Sequence, residues 1–151
     1  MSKPGLVAAR QEAPHEHEAI LDPTGKFILV PDLGADLVRV FSYNPTTDRL
    51  TQHASLHAAP GSGPRHAAFW SPVKSAILNR PLYLYVLAEL GVTVTAYSVT
   101  YPAAGGLAFK EAFVTNTFGG APIPSGAAPA EILVSVRLLS RLFVIKFNSY
   151  L

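Results

Sequence analysis

Not one cysteine occurs in the 151 residues. Disulfides, thiolate metal sites and cysteine nucleophiles are therefore excluded, although the compartment stays open on this criterion. Charge is sparse as well, with 12 basic and 10 acidic residues scattered without runs. The formal charge of +2 and the pI near 9.0 thus reflect a small imbalance, which argues against nucleic acid as a partner. No stretch approaches the ~20 apolar residues of a bilayer-spanning helix, so no membrane partner is expected. The opening "MSKPGLVAARQEAPHEHE" lacks the apolar core of a secretory signal, and the chain has no N-x-S/T sequon. A cytoplasmic protein is the expectation.

What is present is apolar. Hydrophobic residues make up 49% of the chain and the mean hydropathy is +0.27, values of a chain that buries much of itself in one domain. Period-two alternation with β-branched and aromatic enrichment predicts short strands. The first set, after the turn "DPTG", is 26–33, 37–43 and 50–56. A second set covers 66–70, 82–90, 92–100 and 107–115, and a third covers 130–135 and 141–147. Helical spacing competes convincingly nowhere.

The three sets share a grammar. "HEAILDPTGKFILVPDLGADLVRVFSY", "RHAAFWSPVKSAILNRPLYLYVLAELGVTVTAYSV" and "AEILVSVRLLSRLFVIKF" read as copies of one unit. Aligning Glu18 with His66 and His66 with Glu131 gives periods of 48 (18 to 66) and 65 (66 to 131) residues. The second period is stretched by the loops at 71–81 and 118–129. A four-stranded unit of about 50 residues is the size of a propeller blade, a small sheet that buries its faces only against neighbouring blades. The expected fold is all-β: about three four-stranded antiparallel blades of a β-propeller. Closed propellers need about 4 to 8 blades, so this chain is expected to be a fragment or to self-associate through its exposed blade faces.

Inner strands of blades line a common channel, and polar residues near their starts are the candidates for chemistry. These are His15 and His17 in "PHEHEAI", Arg65 and His66 in "GPRHAAF", Glu89 in "LAEL" and Glu131 in "PAEI". His15 and His17, two apart, share a face of an extended strand, but no metal is expected there. The "TGK" at 24–26 lacks the flanking residues of a phosphate loop, and "PSG" at 124–126 makes no nucleophile elbow. His53 and His57 fall on an edge strand and are expected to be solvated.

The segments "PHEHEAILDPTGKFILVPDLGADLVRVF", "PGSGPRHAAF", "LYLYVLAELGVTVTAYSV" and "APAEILVS" resemble the seven-bladed lactonase family, which includes 6-phosphogluconolactonases and fungal carboxy-muconate cyclases. The resemblance covers nearly all of residues 13–135. It implies a channel site for a small acidic lactone or a muconate, with His17 and Glu89 as the catalytic pair, and neither metal nor organic cofactor. Arg65 would bind the substrate anion through a permanent, bidentate cation. His66 and Glu131 would join it in substrate binding, with His66 also ordering the strand start. A histidine or carboxylate suits proton transfer at the ring oxygen or α-carbon. The alternatives are an inter-blade salt bridge for Arg65, a turn anchor for Glu89, and an inactive fragment or interaction module for the chain.

Blades are expected over 15–135, after a stretch at 1–14 that is the tail of a preceding blade or disordered. The divergent strand at 136–151 departs from the family pattern. Val136, Arg137 and Leu138 replace the expected Pro-Asp-Gly turn, and Ile145, Lys146 and Phe147 replace a Ser-Asn-Arg end. The second arginine of the fungal cyclases is thereby absent, with Lys146 a displaced substitute at most. A shifted reading frame, altered splicing or a truncated gene model would account for this.

Overall fold

Strand pairing in the computed structural model, which describes residues 5–71, 81–135 and 142–148, gives three antiparallel sheets. The first contains β1 (Ile20–Leu21), β2 (Phe27–Asp32), β3 (Leu37–Asn44), β4 (Arg49–Gln52) and β5 (Leu56–His57), the last two both paired with β3. The second runs in chain order through β6 (Pro64–Trp70), β7 (Leu82–Ala88), β8 (Thr93–Thr100) and β9 (Ala108–Asn116). The third pairs β10 (Ala127–Val134) with β11 (Leu142–Asn148). Among the described residues no helix is long and apolar enough to cross a membrane.

The near-continuous apolar run of β7 has a simple cause: the middle sheet is covered on both faces. Successive strand residues point to opposite sides, so Leu84 and Val86 pack with Leu29, Val38 and Val40 of the first sheet. The intervening Tyr85 and Leu87 pack with Ile132 of β10 instead. One period-two pattern therefore divides into two inter-sheet cores, as face-to-face sheet packing requires. Burying a residue such as Leu84 fully contributes about 1.5–3 kcal/mol.

The "DPTG" turn closes β1 onto β2. Gly25 takes a left-handed φ of 69°, and the Asp22 carboxylate accepts from the backbone N–H groups of Thr24, Lys26 and Phe27. Tyr101, at the end of the second sheet, donates its hydroxyl to the same carboxylate at 2.8 Å. This turn therefore also latches one sheet to the next. Burial and then the Asp22 bond raise the Tyr101 hydroxyl well above the usual tyrosine range.

Two expectations need correction. The single strand expected over 50–56 is broken into β4 and β5, and His53 at the break is not solvated. Its Nε2 lies 2.9 Å from Ser42 Oγ and its ring meets Phe27 edge-on, with centroids 5.4 Å apart. A half-buried imidazole with partners on β2 and β3 turns inward where a continuous edge strand would have turned it out. His57 is exposed, as expected.

Residues 5–14 form no strand but are pinned by Gln11, which is 1% exposed. Its side-chain amide donates to the Leu33 carbonyl and the Asp36 carboxylate, both at 2.8 Å. Most of the expected insertion at 71–81, and residues 136–141, lie outside the described residues.

Candidate functional site

The three inner strands share a kink. In the second sheet the register shifts between Pro64 and His66, so that Arg65 is an extra, unpaired residue opposite the Ala88–Leu87 step. In the third it shifts between Pro129 and Glu131, leaving Ala130 extra. The first sheet shows a one-residue shift too, between the Glu16–Asp32 bridge and the Ile20–Leu29 pair. Bulges re-aim side chains and locally increase twist. Counting by the repeat periods of 48 and 65, His17, Arg65 and Ala130 occupy one equivalent position. Glu18, His66 and Glu131 occupy the next.

Arg65 reaches across the first tier. Its Nε donates to the Ala130 carbonyl at 3.2 Å, and its Nη1 is paired with Glu89 Oε2. Glu89 sits just beyond the end of β7, with its backbone N–H bonded to the Gly63 carbonyl at 2.9 Å. Antiparallel pairing of β6 with β7 thus makes the two side chains neighbours although 24 residues separate them. The other Glu89 oxygen accepts from Arg10 Nη2 at 2.5 Å. Burial alone would raise the Glu89 carboxyl, but hydrogen bonds from Arg10 and then Arg65 override it and hold the group below the usual carboxylate range. One buried carboxylate therefore orders two guanidiniums, leaving a net positive cluster.

His17 stands beside this cluster, its ring stacked on His66 with centroids 6.5 Å apart and planes inclined by 26°. Partial burial first, and then the Arg65 charge, push its pKa below the ordinary histidine value, opposed by Glu89. The neutral imidazole is favoured at pH 7, the form that accepts a proton. Titration followed by NMR should accordingly place His17 below about 6.5. In Arg65→Gln it should rise, because the cation opposing protonation has gone while Glu89 remains. An unchanged or lower value in that variant contradicts this electrostatic reading.

The second tier is acidic. His66 Nδ1 lies 3.2 Å from Glu131 Oε1 and 3.7 Å from Glu18 Oε1. The backbone N–H of Ala67 holds Glu18 Oε2 at 2.8 Å, and that of Ile132 holds Glu131 Oε1 at 2.8 Å.

The structure thus brings together five of the six residues singled out from the sequence: His17, Arg65, His66, Glu89 and Glu131. His15 is not among them. Its Nε2 binds Glu12 at 2.9 Å, and its backbone N–H bonds Asp32. Sequence reasoning missed Arg10 and Glu18. Glu18 was open to discovery, because it anchors the repeat alignment with His66 and Glu131. Arg10 carried no comparable signal, since it lies 79 residues from its partner in a segment without strand pattern.

Comparison with known proteins bears on the fold and the family. The family model described as "Lactonase, 7-bladed beta-propeller" matches residues 1–138. An Arthroderma benhamiae protein named "Probable 6-phosphogluconolactonase" is 43% identical over 101 residues, which is 67% of this chain and 24% of that protein. The Bacillus subtilis 6-phosphogluconolactonase is 38% identical over 96 residues, 64% of this chain and 24% of its own length. Among solved structures, the Pseudomonas aeruginosa periplasmic gluconolactonase PpgL superposes with a TM-score of 0.66 at 25% identity, covering 90% of this chain and 35% of PpgL. The matched segment is about a quarter of the length of the curated relatives.

Proposed function

Because the chain belongs to the seven-bladed β-propeller lactonase family, we propose that its first tier, Arg10, Arg65 and Glu89 with His17 beside them, serves hydrolysis of an acidic sugar lactone, with 6-phosphogluconolactone as the leading substrate. The observation that carries the proposal is the clamp of Arg10 and Arg65 on one buried carboxylate beside a histidine biased to its neutral form. The relatives' names supply the substrate class.

Each residue then has a role. The guanidinium N–H groups of Arg65 and Arg10 left over from Glu89 hold the phosphate or carboxylate of the substrate, for which a fixed planar cation is well suited. His17 accepts a proton from the attacking water. Water oxygen bonds to the lactone carbonyl carbon, the ring C–O bond breaks, and the proton is returned to the departing ring oxygen, giving the open hydroxy acid. Both oxygens of Glu89 are occupied by guanidinium. In this reading Glu89 therefore positions the arginines, and His17 moves the proton. Cyclisation of a carboxy-muconate would draw on the same residues, but no relative compared above bears such a name.

The test is turnover of 6-phosphogluconolactone above its spontaneous rate, together with binding of the product 6-phosphogluconate by calorimetry. Arg65→Ala should lower kcat/KM by about 100-fold or more, the scale of losing a preorganised charged contact. Equal rates for wild type and Arg65→Ala would overturn the proposal. A second reading, binding without turnover, is favoured by the occupation of both Glu89 oxygens by guanidinium, which takes that carboxylate out of proton transfer. It predicts Arg65-dependent binding of 6-phosphogluconate with no rate above background.

A further inference from the structure

The acidic tier has a chemistry that the lactone reaction does not use. Glu18, His66 and Glu131 each offer one ligand atom, and the three atoms lie within 4.8 Å of one another. They come from equivalent positions in three successive repeat units, so the repeat itself converges them. We propose that these three residues bind a divalent first-row transition-metal ion, through Glu18 Oε1, His66 Nδ1 and Glu131 Oε1.

Hydrogen bonding supports a cation more than a proton at this point. His66 Nδ1 is a buried atom without a hydrogen-bond partner, even though carboxylate oxygens lie 3.2 and 3.7 Å away. A protonated Nδ1 gains most by pointing straight at one carboxylate, and an unpaired buried nitrogen is costly. Here the nitrogen faces the space between two carboxylates, where an ion would satisfy all three groups. The charges balance, since two carboxylates and a neutral imidazole match a 2+ ion.

The donor set also selects among ions. Bonds of about 2.0–2.2 Å to nitrogen and oxygen need only small side-chain rotations from the present spacing. Ca²⁺ prefers six to eight oxygens, whereas one imidazole with two carboxylates suits Zn²⁺ or Mn²⁺, with Zn²⁺ the tighter. The Ala67 and Ile132 N–H groups orient the two carboxylates, a role that outer partners commonly play at metal sites.

Calorimetric titration of the full chain, stripped of metal, with Zn²⁺ should show one saturable site per chain, with Ca²⁺ much weaker. Glu18→Gln and Glu131→Gln should each weaken Zn²⁺ by about 100-fold or more, at or above the top of the range for losing an outer partner alone. His15→Gln, which alters the separate His15–Glu12 pair, should leave binding intact. Should either glutamine variant fail to fold, paramagnetic Mn²⁺ added to the wild type should selectively broaden the His66 ring and Ala67 amide signals. Absence of saturable Zn²⁺ binding, binding as tight as wild type in either Glu→Gln variant, loss in His15→Gln, or broadening elsewhere would each overturn the site. Metal binding is read without turnover, so its outcome is separable from that of the lactonase proposal.

Discussion

Replacing Glu89 by alanine is expected to lower stability by about 3 kcal/mol, the lower end of the range for stranding a buried charge. Glu89 is 5% exposed and holds Arg65 and Arg10, whose side chains are 26% and 49% exposed. Removing it leaves two guanidiniums facing each other, one of them partly buried. The exposed share of Arg10 is screened by water, which keeps the expected loss below the upper values. Thermal unfolding should fall by about 6–12 °C at this chain length. Arg65→Gln/Glu89→Gln should lose less than the sum of the single Arg65→Gln and Glu89→Gln losses, because both members of the more buried pair are then neutral. Additive losses in that cycle would remove the ion pair from the account.

The same carboxylate gives the fold an acid limit. Its folded-state pKa is depressed, so its contribution is fully present above the ordinary value near 4.5 and fades as pH falls through the lower folded value. Glu89→Gln should flatten this part of the stability profile.

A comparably large effect is expected at Gly34. A Cβ there would run into the Ala13 carbonyl oxygen and lie 3.1 Å from His15 Cδ2. The Ala13 atoms in the way are backbone, and the neighbouring His15 carbonyl accepts from the Leu33 N–H at 2.9 Å. Gly34→Ala should therefore force the 13–17 segment away from β2, at a cost of about 3 kcal/mol, the upper end for overpacking. It should also shift the NMR signals of His17. Gly25→Ala is the comparison: a Cβ there meets nothing within 4 Å, so only the left-handed φ of 69° opposes it. That change should cost about 1 kcal/mol, comparable to ordinary left-handed strain, and leave His17 unmoved. Equal effects of the two substitutions would show that close approach of the 13–17 segment does not hold the site together.

Much of this was legible in the residues. Alternation located β2, β3, β7, β8 and β9 to within a few positions, because successive strand residues point to opposite faces and the inner strands turn one set into a core. The apolar density of "LYLYVLA" announced a strand covered on both sides. The break at His53 was not legible, since "LTQHASL" alternates well enough to read as one strand; only Ser42 and Phe27, brought close by β2 and β3, turn the ring inward.

Local sequence determined the strands, the turn at Asp22–Gly25 and the repeated unit, because backbone sterics and hydrophobic period act over a few residues. It also marked His17, Arg65 and Glu89 through short motifs. Tertiary structure alone decided that Arg10 closes on Glu89 across 79 residues, and that Glu18, His66 and Glu131 meet. Those contacts depend on the angle and spacing at which whole sheets pack, a sum over many apolar side chains that no short stretch encodes.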